Sequence, residues 1–411
     1  MLIWAALGLL LYGLAAIFAQ AASERDLVTP TFMNTIAMSV APYFVAYLLL
    51  DRTLHIPPIE GNSLVGIATL LPFAALLGVC AIFRIDYSRG AMLVCMLITM
   101  VWLWIGYRRF VSTYVPVFGY LSPNAMTHLQ EILAAPGAAG ASRAEFRKIA
   151  TLPEAAQCDG LMMDRNATVD PERTRALASF KLSHVRLYSV DRIGELLTGR
   201  LGLAHIEESF LDDHAQNYFY MPFKRLADIL AVVLLAPAAI PIGLLVALAV
   251  RLESDGPAIF RQERVGLYGK VFTMLKFRSM AYEPDATAQF AARQDPRVTR
   301  VGRFIRKYRL DEIPQLWNVF IGQMSLIGPR PEQVSMVDAF SETIPYYPYR
   351  HLVRPGLSGW AQVQQGYAGS HEETVTKLSY DLYYVKHCSI ALDLLICAKT
   401  LRTLMTGYGA R

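Results

Sequence analysis

The sequence predicts a membrane protein in three parts. A four-helix transmembrane unit comes first, then a small degenerate α/β domain of Rossmann-like type, then a basic domain entered through a re-entrant membrane helix. Two observations carry this. Apolar residues fill 54% of 411 positions, too many for an ordinary soluble chain and over too long a chain for one domain. The long apolar runs are also confined to the first quarter of the chain and to one proline-broken stretch past its middle, with ordinary composition between.

Residues 2–18 are continuously apolar. Ala19-Gln20-Ala21 loosely resembles a signal-peptidase site, but no basic stretch precedes the run and three more apolar segments follow, so the prediction is a first membrane span. The other segments, 32–50, 64–83 and 91–107, each approach the ~20 residues that cross a bilayer, and the four make a transmembrane unit over 1–112. Trp102, Trp104 and Tyr107, followed by Arg108 and Arg109, form an interfacial belt with a basic flank on the cytosolic side. An even number of spans then places both the N-terminus and residue 110 onward in the cytosol, leaving Arg84 and Arg89 outside.

Between 113 and 215 the periodicity changes. Residues 115–120, 160–163 and 185–188 read as short buried strands, alternating with helical stretches near 123–133, 143–150 and 171–180. Such alternation predicts a small parallel sheet. The first strand runs into Phe118-Gly119-Tyr120-Leu121-Ser122-Pro123, without the GxGxxG that lets a backbone approach a pyrophosphate, so the domain is read as structural or as a pairing element. Asp212-Asp213-His214 reads as a polar linker. The five cysteines form no CxxC pair and suggest neither zinc nor a disulfide framework, in keeping with soluble parts that face a reducing cytosol. The net charge of +5 suits acidic headgroups or phosphate-bearing substrates and excludes bulk nucleic-acid binding.

The third part, 216–411, opens on a membrane element over about 224–251. Residues 229–250 are almost entirely apolar, yet Pro237 and Pro241 interrupt them, and Lys224-Arg225 and Arg251 flank them. Basic flanks favour the cytosol at both ends, which a straight crossing cannot satisfy. From Asp228 to Pro241 a helix advances roughly 20 Å, more than half of a hydrocarbon core about 30 Å thick. A helix that enters, bends at proline and returns meets these demands. A kinked ordinary span is the other solution and would put everything after 251 outside. The tail, 392–406, reads as an amphipathic helix suited to the membrane interface.

The chemistry centres on Arg303-Phe304-Ile305-Arg306-Lys307-Tyr308-Arg309-Leu310-Asp311-Glu312-Ile313-Pro314. Pro314 suits the first turn of a helix, which places Asp311 and Glu312 at or before a helix N-terminus. They could serve there simply as cap and dipole complement. The surrounding cations offer the other reading: carboxylates among Lys and Arg are held charged and can share a site with a metal and phosphates. Lys276, Arg278, Arg303, Arg306, Arg330 and Arg354 punctuate this half, and a converging subset could clamp a diphosphate bidentately.

From Lys224 to Arg411 the chain closely resembles the bacterial transferases that load a sugar 1-phosphate onto polyprenol phosphate, the monotopic phosphoglycosyl transferases. The stretches that carry the resemblance are Phe260-Arg261-Gln262-Glu263-Arg264-Val265-Gly266, Lys276-Phe277-Arg278-Ser279-Met280, Arg309-Leu310-Asp311-Glu312-Ile313-Pro314-Gln315-Leu316-Trp317-Asn318, Gly328-Pro329-Arg330-Pro331-Glu332 and Arg354-Pro355-Gly356-Leu357-Ser358-Gly359-Trp360-Ala361-Gln362-Val363. The resemblance implies an α/β catalytic domain with a re-entrant helix broken at Pro241 and a catalytic dyad of Asp311 and Glu312. In it Asp311 attacks the sugar-bearing phosphorus of a UDP-sugar and UMP leaves, after which undecaprenyl phosphate takes the phosphosugar. It further implies Mg²⁺ at Asp311 and Glu312, and substrate contacts from Lys276, Arg278, Arg303, Arg306, Arg330, Arg354 and Gln362. Membrane lipids and a second copy in a homodimer are the implied partners, at the cytosolic face of the bacterial inner membrane, where exopolysaccharide, capsule or O-antigen synthesis begins. The exopolysaccharide likeness points to glucose or galactose.

Three departures from the family pattern stand out. Ile240 stands where Ser usually precedes the helix-breaking proline, Gln323 where many members have Asp, and Tyr308-Arg309 where many have Thr-Ser. Two other classes compete with the enzyme: a non-catalytic membrane scaffold or regulator of a polysaccharide assembly complex, and a small transporter. The transporter fares worst, because no ionisable residue lies deep in the four spans.

Overall fold

The computed structural model describes residues 2–21, 29–53, 61–110, 115–134, 144–149, 152–163, 171–183, 185–203, 206, 220–281, 297–365 and 370–406. The Asp212-Asp213-His214 patch lies outside them. The chain forms two compact units, Met1–Gly199 and Arg200–Arg411.

In the first unit four helices, α1 (Leu2–Ala21), α2 (Pro30–Thr53), α3 (Gly61–Phe83) and α4 (Arg89–Phe110), follow the four apolar runs. Their shared core holds Tyr12, Tyr43, Phe73, Met92 and Cys95. Side chains turned the other way, such as Leu10, Leu48, Leu71, Ile82 and Leu93, are exposed, as lipid-facing residues are. Polar groups inside are satisfied locally: Thr69 and Thr99 donate to carbonyls four residues back, and the indoles of Trp4 and Trp102 stack with ring centroids 4.0 Å apart.

The rest of this unit is a four-stranded, wholly parallel sheet in the order β2-β1-β3-β4. Its strands are β1 (Val117–Tyr120), β2 (Glu145–Lys148), β3 (Gly160–Met163) and β4 (Leu187–Ser189), with helices α5 (Pro123–Ala134), α6 (Leu152–Ala156) and α7 (Pro171–Leu182) between them and α8 (Val190–Thr198) after them. The expected helix over 143–150 is therefore wrong: this segment is β2, an edge strand paired through Val117↔Glu145 and Tyr120↔Lys148. Three of its four side chains are exposed, so it lacks the apolar alternation of a half-buried strand, and only Phe146, stacked on Phe118, marks its inner face.

The second unit begins on α9 (Tyr220–Glu253), 34 residues long and helical throughout, with Pro237 and Pro241 inside it and no helix end at Pro241. Among the described residues, four helical stretches are long and apolar enough to cross a membrane: Pro30–Asp51, Leu64–Phe83, Arg89–Arg109 and this one. The buried residues of α9 share one face in two groups: Lys224, Asp228 and Val232 near its start, Gly243, Val246 and Val250 near its end. Between 233 and 242 no residue is buried. Both ends pack on the same unit. Val232 joins Phe272, Met274, Val319 and Met324, while Val246 and Val250 join Phe277 and Ile305.

After α9 comes a hairpin of β5 (Ile259–Val265) and β6 (Val271–Phe277), antiparallel with Ile259↔Phe277 and Val265↔Val271. Helix α10 (Arg300–Lys307) leads through a 3₁₀ turn, Leu310–Glu312, into the short helix α11 (Gln315–Phe320). Strands β7 (Ser325–Ile327) and β8 (Gly356–Ser358) pair in parallel. The last helices are α14 (His371–His387) and α15 (Ile390–Thr406), numbered after α12 (Val334–Thr343) and α13 (Trp360–Gln364). The tail helix does not turn its apolar face to the membrane: Leu392, Leu395 and Ile396 are buried within the unit, and Asp393 binds Lys224, Tyr220 and Tyr384.

Candidate active site

Asp311 and Glu312 sit in the turn between α10 and α11, and neither caps a helix. Pro314 occupies the N-cap position of α11, and no side chain bonds the first amides there. Glu312 turns instead to two guanidiniums. Its Oε1 accepts from Arg330 Nη2 at 2.7 Å and from Arg309 Nη1 at 3.0 Å. Burial disfavours its charge, but Arg330 and then Arg309 outweigh that and hold Glu312 below the ordinary carboxylate range. Asp311 is the opposite case. Its Oδ1 is buried and, among the described residues, has no hydrogen-bond partner. Burial and the neighbouring Glu312 push Asp311 up to about 6, against the pull of Arg309, Lys276 and Arg330.

Lys276 reaches this place from β6, its ammonium 5.0 Å from the centroid of its cross-strand partner Phe260. Burial, then the nearby Arg264, brings its amine down to about 8, and Asp311 opposes the shift. Arg306 belongs to the same field of charge. Arg330 is set by a close crossing of two chain segments. A Cβ on Gly356 would overlap the backbone of Gly328, and one on Gly359 would overlap the Gly328 carbonyl, so only glycines let the strand pair close here. Gln362 stands beside this crossing, its Oε1 next to Gly359. Behind it, Arg350 donates to the Arg330 carbonyl at 2.9 Å and pairs with the buried Asp381 at 2.7 Å. Glu332 meets Lys377, and Arg264 lies 3.8 Å from Glu332.

Asp311, Glu312, Lys276, Arg306 and Arg330 are thus brought together, and two other expected ligands, Arg278 and Arg354, are used elsewhere. Arg278 donates to the carbonyls of Ser254 and Asp255 at the end of α9. Arg354 donates to the Gly322 carbonyl at 3.0 Å. Arg303 is exposed on α10. Gln323 accepts from Asn318 Nδ2 at 2.7 Å, and Asn318 also binds Thr273 and Leu275 of β6, so an amide at 323 completes the tie between α11 and the hairpin. Sequence reasoning missed Arg350, Asp381 and Lys377 as supports of the site. They lie 20 to 51 residues beyond Arg330 and carry no local signature, whereas Glu332 closes the Gly328-Pro329-Arg330-Pro331 stretch and was in plain view.

Residues 219–407 match the bacterial sugar transferase family. A UDP-N-acetylgalactosamine-undecaprenyl-phosphate N-acetylgalactosaminephosphotransferase of Aeromonas hydrophila is 37% identical over 391 residues, covering 92% of this chain and 88% of its own. The chain belongs to the bacterial sugar transferases. Other relatives of this transferase align over shorter stretches: UDP-glucose:undecaprenyl-phosphate glucose-1-phosphate transferases of Klebsiella pneumoniae, 44% identical over 189 residues, and Caulobacter vibrioides, 46% identical over 193. These alignments cover 45% and 46% of the present transferase, and 41% and 71% of the two relatives. The matched region contains the whole cluster from Lys276 to Asp381.

Proposed function

We propose that this transferase moves a hexose 1-phosphate from a UDP-sugar to undecaprenyl phosphate and releases UMP, with Asp311 as nucleophile. The observation that carries this is Asp311 Oδ1, a buried carboxylate oxygen without a partner among the described residues, in a ring of cations. An Oδ of Asp311 attacks the sugar-bearing phosphorus, the bond from that phosphorus to the bridging oxygen breaks, and UMP leaves with the electron pair. A phosphate oxygen of undecaprenyl phosphate then attacks the aspartyl phosphosugar, which frees the carboxylate. Splitting one displacement into two is what a carboxylate nucleophile offers. Near neutral pH Asp311 is ionised yet more basic than an ordinary aspartate. Glu312, already neutralised by Arg309 and Arg330, stays charged throughout.

Mg²⁺ fits this donor set. Among the described residues no three acidic, His or Cys side chains group as a metal cage. Mg²⁺ is usually held by one or two carboxylates with substrate phosphates, and the orphaned Oδ1 of Asp311 with Glu312 supplies the protein's share. When bound, the ion would offset charge on the diphosphate.

For the membrane element the reading is re-entrant. A spanning helix puts its ends on opposite sides of a core about 30 Å thick, whereas Arg225 at one end of α9 donates to the Phe320 carbonyl and Glu253 at the other accepts from the amide of Val301. Exposed Phe304, Tyr308, Trp317, Phe320 and Ile321 beside the dyad suit a seat in the headgroup layer of the inner membrane, on its cytosolic face. The parallel sheet of the first unit is read as a degenerate Rossmann-like domain that supports a homodimer. The relative that aligns over most of the chain favours an N-acetylhexosamine donor, ahead of glucose or galactose.

Purified protein with undecaprenyl phosphate, Mg²⁺ and a panel of UDP-sugars tests this. UMP release with one donor is the expected result. Release of UDP overturns it, and release of no nucleotide overturns it in favour of the scaffold.

A further inference from the structure

We infer that Arg309 is the leaving-group clamp, the residue that holds the nucleotide-side phosphate of the donor as it departs. This rests on the reaction proposed above. Arg309 is one of the positions at which the sequence leaves its family's pattern, and its backbone is left-handed, with φ 56° and ψ 22°. A side chain with a Cβ adopts that region at a cost, and such strain gathers at functional sites. Here it turns the guanidinium back over the dyad, so that Nη1 meets Glu312 Oε1 at 3.0 Å.

Glu312 would keep a partner without this contact. The same oxygen already accepts from Arg330 at 2.7 Å. Arg309 is therefore a surplus cation where the donor must bind. One of its five N–H groups is engaged by a side chain, and among the described residues the rest have no partner. Its side chain is 41% exposed, against 31% for Arg330, which is also tied to the Leu357 carbonyl at 3.3 Å. The cluster is thus layered. Lys276 and Arg330 lie around the oxygen that attacks phosphorus, and Arg309, the more exposed of the two arginines, stands on the solvent side of Glu312, where a departing nucleotide would meet it. When the bond to the bridging oxygen breaks, its electron pair passes to the nucleotide-side phosphate, and that charge falls within reach of the free edge of Arg309. A guanidinium binds two phosphate oxygens at once, and fixed donors count most where charge develops.

The test compares Arg309→Gly, Arg309→Asn and Arg309→Lys in the full-length protein, by calorimetric binding of UMP and of uridine and by UMP release. Gly and Asn accept the left-handed backbone, so both variants should fold as well as the parent. In both, UMP binding should weaken about tenfold to a hundredfold, uridine binding should hold, and kcat/KM should fall by about the same factor. Lys should restore part of each loss. An unchanged ratio of UMP to uridine affinity in Arg309→Gly overturns the clamp, as does misfolding of both Gly and Asn variants, which would make Arg309 structural. If the parent binds UMP but turns over no UDP-sugar, the proposed reaction fails, while the binding ratio still judges Arg309.

Discussion

Arg278 Nη2 donates to the carbonyl oxygen of Ser254 at 2.7 Å, closing the end of the long apolar helix. The chain leaves the helix at Glu253, and one buried guanidinium fixes the two carbonyls that follow, those of Ser254 and Asp255. Arg278→Ala should therefore lower stability by about 2 kcal/mol, the scale of a hydrogen bond to a charged group. The KM for donor should not change in the protein that remains folded. Thermal unfolding in detergent, paired with UMP-release kinetics, checks both halves.

Asp311 works against the fold. Its pKa is about 6 in the folded protein against an ordinary 3.8, so the folded state holds more protons between those values and loses stability as pH rises through them. Asp311→Asn should abolish turnover yet raise stability at pH 7.5 by about 3 kcal/mol, with the gain vanishing toward pH 4. A melting series across pH, run on parent and variant, reads this directly. Mass spectrometry of the parent trapped in mid-turnover should show a phosphosugar on Asp311.

The rate should be bell-shaped in pH. Asp311 must be ionised, which sets an acid limb near 6, and Lys276 must be charged, which sets an alkaline limb near 8. Lys276→Arg should carry the alkaline limb upward and leave the acid limb close to its place. An alkaline limb that stays near 8 in that variant would remove Lys276 from the charge that meets the phosphates.

Gly356→Ala should cost several times more than Gly202→Ala. A Cβ at 356 meets the Gly328 backbone, whereas one at 202 meets nothing within 4 Å. Overpacking of this kind costs roughly 1–3 kcal/mol, and here it also shifts the segment that carries Arg330. Loss of activity beyond loss of folded protein is the expected signature, read by comparing kcat per folded molecule.

A cysteine in place of Asp255, which is exposed just past α9, reports the membrane path. The re-entrant reading expects no labelling by an impermeant thiol reagent in intact cells and full labelling after lysis. Labelling from outside would mean that α9 crosses the bilayer.

Much of the fold was legible because it rests on short-range rules. Apolar runs near 20 residues are written plainly in 32–50, 64–83 and 91–107, and they became α2, α3 and α4. Strand 160–163 appeared with the bounds that its apolar run suggested. The edge strand Glu145–Lys148 did not, because a strand mostly in solvent carries no alternation to read. The dyad and its cations were legible for a similar reason: Asp311, Glu312, Arg306 and Arg309 are neighbours in the chain.

What the sequence determined by itself was composition and local order: which segments are apolar enough for lipid, where two carboxylates stand among cations, and which family the motifs resemble. Tertiary structure alone decided how the cations are shared out. Arg278 and Arg330 look alike in sequence, yet one ends a helix and the other neutralises Glu312, because a guanidinium goes to whichever unpaired oxygen the packing brings within about 3 Å. The two carboxylates of the dyad likewise differ through placement, since Glu312 meets two arginines while Asp311 Oδ1 is buried with none.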